Sequence, residues 1–221
     1  MQNDLSEKAD HGGALAEMLD AANENGSITV LRVSDSRDAA NQIEDMGREI
    51  GNLIIGSHGQ YKHASFRIGD GDLFNSANKI ANNGNLSRIR KYLGDNSQII
   101  VHACHVGNPD NGGVQLLTAL ALKMKTTVFG NQSWSLSAPG MFGGYLFGII
   151  PYYQGSNDSP AEKSCLGKEG CNTYTHSERS RAFDNAGSWT KVTYSNGVTK
   201  ATTINNVYYT KSGGLNYSEN P

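Results

Sequence analysis

Two side chains able to exchange a proton stand at the ends of two short apolar runs. Asn52-Leu53-Ile54-Ile55-Gly56-Ser57 leads to His58, and Gln98-Ile99-Ile100-Val101-His102-Ala103 leads to Cys104. A thiol with its ordinary pKa of about 8.5 is mostly protonated at neutral pH, and a neighbouring imidazole can draw the proton off. The resulting thiolate is a nucleophile suited to acyl transfer. Attack on a carbonyl builds an oxyanion, which needs backbone N–H groups aimed at it. Gly59 follows His58 and has no side chain, so its amide can approach a substrate closely. The amide of Cys104 is the second candidate donor. His58 as general base, Cys104 as nucleophile, and Gly59 and Cys104 as the oxyanion hole thus lie in two very short stretches.

That chemistry requires the two runs to be neighbours. Each reads as a buried parallel strand. In open α/β sheets ligands bind outside the carboxyl ends of the strands, where both reactive tips would fall. The remaining pattern supports such a sheet. Residues 12–25 have helical spacing, and residues 28–33 read as a strand. Ser34 or Asp35 can cap a helix that presents Ala39, Ile43, Met46 and Ile50. An insertion follows His58, in which Phe66-Arg67-Ile68 and Asp72-Leu73-Phe74 flank Gly69-Asp70-Gly71 as a hairpin. Leu86, Ile89, Tyr92 and Leu93 mark a short helix before the Cys104 strand. After it, a turn at residues 108–113 leads to a helix burying Val114, Leu117, Ala121 and Leu122, then a strand at 126–129.

The alternation predicts a mostly parallel central sheet with helices on both faces. Beyond it the pattern weakens. A helix around residues 141–147 is expected in a segment rich in Gly and aromatics, and residues 156–188 show no periodicity. Residues 189–194 and 198–204 alternate around Asn196-Gly197, a strong hairpin signal, which residues 207–209 could extend. The expected division is an α/β domain over residues 1–155 and a loop-rich extension over 156–221 packed on it.

Composition narrows the function. The chain has 221 residues, a formal net charge of -2 and no cluster of Lys or Arg, which argues against nucleic acid as partner. No run of about 18 apolar residues occurs, so no membrane span is expected. The polar N-terminus does not read as a signal peptide, and nothing assigns a compartment. Of three cysteines, Cys104 ends a strand alone, while Cys165 and Cys171 flank a short loop, either bridged in an oxidising compartment or both free.

Ser57-His58-Gly59 after one apolar strand, followed 46 positions later by Ala103-Cys104-His105-Val106-Gly107 after another, resembles the caspase–hemoglobinase clan of cysteine peptidases. That clan includes caspases, metacaspases, legumains, gingipains, separases and self-cleaving domains of bacterial toxins. The resemblance covers roughly residues 28–130. It implies a three-layer α/β/α caspase-like fold and a cysteine endopeptidase that works through a Cys-His dyad and a thioester acyl-enzyme. It implies peptide or protein substrates, its own chain or a parent polypeptide included, and no cofactor. By position it also implies substrate contacts from Ser57, His102 and Trp134.

The sequence departs from the clan in its details. One strand, not two, precedes the His58 strand. Two residues before the nucleophile, where Asp or Glu is common in members that cleave after Arg or Lys, stands His102. It offers no fixed negative charge, so a basic P1 residue is not expected unless Asp70, Asp72 or Asp110 enters from loops. Two other readings compete. A catalytically inactive caspase-like module could bind a peptide or partner in the same cleft. A metal site could use His58, His102, Cys104 and His105, zinc-type ligands that only a turn at Cys104 would converge. His105 itself reads as structural or solvent-facing, and His63 and His176 as surface residues.

Overall fold

The computed structural model describes residues 29–57, 59–60, 63–132, 135–137, 149–151, 188–209 and 215–219. Four α-helices are described: α1 (Ser36–Met46), α2 (Ala77–Asn82), α3 (Gly84–Arg90) and α4 (Gly113–Met124). The strands are β1 (Ile50–Gly56), β2 (Phe66–Ile68), β3 (Asp72–Phe74), β4 (Leu93–His102), β5 (Thr127–Asn131), β6 (Ser135–Ser137), β7 (Ile149–Pro151), β8 (Trp189–Ser195), β9 (Val198–Tyr209) and β10 (Leu215–Glu219).

The central sheet has six strands in the order β1-β4-β5-β8-β9-β10. The predicted α/β class is observed, but the sheet is mixed, not mostly parallel. β1, β4 and β5 run parallel, whereas β8, β9 and β10 add to β5 as an antiparallel meander. The turn at Asn196 and Gly197, with φ of 49° and 85°, reverses β8 into β9. Two residues suffice to reverse a chain but not to cross a sheet. The expected hairpin is therefore present, and it extends the sheet that carries Cys104.

The carboxyl-terminal part of β4 is buried on both faces, as its apolar run requires: Ile99, Ile100 and Val101 are all inaccessible, whereas Asp95 and Asn96 nearer its start are exposed. Ile99, Val101 and Ala103 belong to a core shared with Leu116, Leu117, Leu120, Ala121 and Met124 of α4 and with Val128 and Val192. The described helices form a continuous layer in which α1 packs on α3, α3 on α4, and α4 on α2, β5 and β8. The face of α4 differs from the expected one. Leu117 and Ala121 are buried, but Leu116, Leu120 and Met124 accompany them, while Leu122 is exposed.

Three other expectations are corrected. Residues 29–33 form no strand, although Val33 is buried. The Ser34 carbonyl accepts a bond from Gly71 N (2.9 Å), which ties the end of this segment to the tip of the β2–β3 hairpin and not to a sheet ladder. Asp35 then caps α1 by accepting from Asp38 N (2.8 Å). α1 ends at Met46 on a left-handed Gly47, so Ile50 opens β1 and does not continue the helix. Tyr92 lies in a turn and Leu93 begins β4, outside the helix expected there. The β2–β3 hairpin itself is as expected, with Phe66 opposite Phe74 and their rings stacked at 5.0 Å. The predicted helices at 12–25 and 141–147, and both Cys165 and Cys171, lie outside the described residues. Among the described residues no helix is long and apolar enough to cross a membrane.

Candidate active site

β1 and β4 pair in parallel. After a register shift between Ile50 and Asn52 the offset is constant: Asn52 opposite Gln98, through Ile55 opposite Val101, to Gly56 opposite His102. The offset of 46 is also the separation of His58 from Cys104. The ladder continues past the last strand residues, because Ser57 N donates to His102 O (3.0 Å). His58 lies outside the described residues, but its neighbours do not. Gly59 abuts the backbone of Cys104 so closely that a Cβ there would stand 2.6 Å from Cys104 N. The two residues expected to supply oxyanion donors are thus in backbone contact, and only glycine fits at position 59.

Past His102 the chain leaves the strand in a tight turn. Val106 N donates to Ala103 O (3.3 Å) and Asn108 N to His105 O (3.1 Å). Cys104 is partly exposed at the top of this turn, while Ala103, His105 and Val106 are fully buried beneath it. His105 takes a left-handed backbone conformation (φ 56°), uncommon for a residue with a Cβ. Its Nδ1 lies 3.3 Å from Gln132 O, which makes Nδ1 the protonated nitrogen of a neutral ring. Burial pushes its pKa down to about 4, against the opposing effect of that bond. His105 is therefore structural, and the solvent-facing alternative is corrected.

His102 is half-buried, with Nδ1 shielded and unpartnered, and desolvation lowers its pKa to about 4. It presents a neutral imidazole. Among the described residues, nothing lies within 4 Å of where a Cβ on Gly56, its partner across the ladder, would stand.

The other sequence candidates are placed as follows. The Ser57 hydroxyl accepts from Arg67 N (3.0 Å), tying the β2–β3 hairpin to the strand end. Trp134 and His176 lie outside the described residues. Asp70 and Asp110 are exposed, as is His63, and Asp72 accepts from Ser36 N (2.8 Å). A cavity of about 350 Å³ opens beside the loop after Gly59, lined in part by Gln60, Asn75, Asn111 and Gln115. Among the described residues no group of three or more His, Cys, Asp or Glu side chains is assembled to hold a metal ion.

Sequence reasoning missed the supports of the turn. Asn108 donates through Nδ2 to Gln132 O (2.9 Å), and Thr190 donates through Oγ1 to Gly107 O (2.6 Å). Asn108 carried a turn signal, and Gln132 lies in the loop that the resemblance places beside the cleft, but nothing in the pattern linked Thr190 to the site.

The profile of a family described as a domain of unknown function, DUF4347, matches residues 11–135, more than half of the chain. The chain belongs to the DUF4347 family. No curated protein and no solved structure matches it. The DUF4347 match takes in both strand ends and stops before the β8–β9 hairpin.

Proposed function

We propose that this DUF4347 protein is a cysteine endopeptidase of the caspase–hemoglobinase type. In this reading the fold is the three-layer α/β/α arrangement of that clan, and the described helices form one layer. His58 takes the thiol proton of Cys104, and the thiolate attacks the carbonyl carbon of the scissile peptide. The tetrahedral oxyanion is held by the amides of Gly59 and Cys104. On collapse, the leaving amine takes its proton from the imidazolium and a thioester remains on Cys104. Water, deprotonated by His58, then hydrolyses it.

The single observation that carries the reading is the contact of Gly59 with the Cys104 backbone at the carboxyl ends of two parallel strands. A thiol in a partly exposed turn, one residue from a buried anchor, suits a nucleophile better than an inert core cysteine. The neutral ring of His102 and the space at Gly56 suit a P1 side chain without positive charge, from a separate protein or from the parent chain. Trp134 is proposed as a wall of the same cleft.

The test is labelling with peptidyl electrophiles of varied P1 residue, followed by mass spectrometry. Selective modification of Cys104 over Cys165 and Cys171, abolished by His58→Ala in a folded chain, is the expected result. Equal labelling of all three cysteines would reject it and favour the peptide-binding module.

A further inference from the structure

The turn that carries Cys104 is not held by its own strand alone. Gly107 N donates to Asn131 O at the end of β5 (2.8 Å). The Gly107 carbonyl accepts from the hydroxyl of Thr190, on β8 (2.6 Å). That hydroxyl in turn accepts from Gln132 Nε2 (3.0 Å), which also reaches Thr203 on β9 (3.2 Å). Gln132 N donates to Ser188 O (2.9 Å), at the entry to β8. Gln132, Thr190 and Gly107 are all buried, so water does not replace a bond lost among them. Each group in the chain Gln132–Thr190–Gly107 donates in one direction, an arrangement in which each bond polarises the next.

A buried hydroxyl pointing at a turn carbonyl needs a reason. A Val at position 190 would fill the same volume and suit a strand equally well. The hydroxyl adds direction. It fixes the carbonyl of the third residue after Cys104, and with it the peptide planes that aim the Cys104 amide.

We infer that Thr190, oriented by Gln132, is a positioning residue for the Cys104 turn, so that the C-terminal hairpin is part of the reactive unit. The inference rests on the reading of Cys104 as nucleophile. Thr190 lies beyond residues 11–135, so a segment outside the family match completes the site the match contains.

The experiment compares the full chain with its Thr190→Val and Thr190→Ser variants. Two probes are used: a peptidyl ketone electrophile, whose reaction needs an aimed thiolate and oxyanion donors, and iodoacetamide at high pH, which needs only an accessible thiolate. Thr190→Val is expected to slow the peptidyl probe at Cys104 about tenfold or more, as small misplacements do. Its iodoacetamide rate should stay within about twofold, because exposure of the thiol is unchanged. Thr190→Ser, which restores the hydroxyl, should recover most of the peptidyl rate.

A folded Thr190→Val chain with an unchanged peptidyl rate overturns the inference and leaves the peptidase reading intact. So does a Thr190→Ser chain as slow as Thr190→Val. An unaltered chain whose Cys104 reacts like an ordinary thiol with both probes overturns the peptidase reading, and this inference with it. If Thr190→Val does not fold, Gln132→Met removes the orienting donor and is judged by the same ratio of rates.

Discussion

A Cβ at position 59 would stand 2.6 Å from Cys104 N and nearer still to Cys104 O, both backbone atoms that cannot rotate away. Gly59→Ala must therefore part the two strand ends, at a cost near the upper end of overpacking, about 2–3 kcal/mol. Gly56, three residues earlier, is the control. Among the described residues its Cβ position is open, and its φ is not positive, so Gly56→Ala is expected to be neutral or to stabilise by up to about 1 kcal/mol. Urea unfolding of the two variants checks both. A Gly59→Ala chain as stable as the parent would mean that the strand ends do not meet as described. The same pair bears on the site: Gly59→Ala should abolish selective Cys104 labelling, whereas Gly56→Ala should affect only electrophiles whose P1 group needs the space beside His102.

At the scale of elements, the turn at Asn196 and Gly197 sets the direction of β9 against β8. Gly197 has φ of 85°, where a side chain is strained by roughly 1–2 kcal/mol. Gly197→Ala should lower stability by that amount, read as a reduced urea midpoint with an unchanged slope. A full-sized effect on a tip so far from the core would identify the hairpin as part of one cooperative unit, as its pairing to β5 requires. This turn was legible in the sequence because Asn-Gly has a local physical meaning, and so were the Asp35 cap and the β2–β3 hairpin. The strand ends were legible because an apolar run that stops at His58 or Cys104 is an abrupt change of pattern. The face of α4 was not, since nearly every residue from Val114 to Met124 except Gln115, Thr118 and Lys123 is apolar and spacing selects no side. Nor was the Gln132–Thr190–Gly107 chain. Its bonded pairs are 58 and 83 residues apart, and neither a Gln nor a Thr announces a partner at that range.

For the whole molecule, the two histidines flanking Cys104 couple folding to pH. Both have a folded pKa near 4, against about 6.5 for an exposed imidazole. Below 6.5 the unfolded chain takes up protons that the folded chain refuses, so stability is complete above that pH and is lost as pH falls toward 4. Each group contributes a slope of up to about 1.4 kcal/mol per pH unit in that window. The carboxylates held low by bonds, Asp38 to Gln42 and Ser34, Glu44 to Arg88 and Glu219 to Lys191, act in the same sense but only below their ordinary values of 3.8 to 4.5. Between pH 6.5 and 5 the histidines therefore dominate among the described residues. Urea unfolding at pH 7.5, 6.0 and 5.0 should show a midpoint that is level at first and then falls. In His105→Asn the fall should shrink by about half, since Asn tolerates the left-handed backbone but does not titrate. A midpoint as high at pH 5.0 as at pH 7.5 would mean that both imidazoles reach solvent in the folded chain. Such a result would remove the neutral His102 ring from the proposed cleft, and with it the argument for a P1 side chain without positive charge.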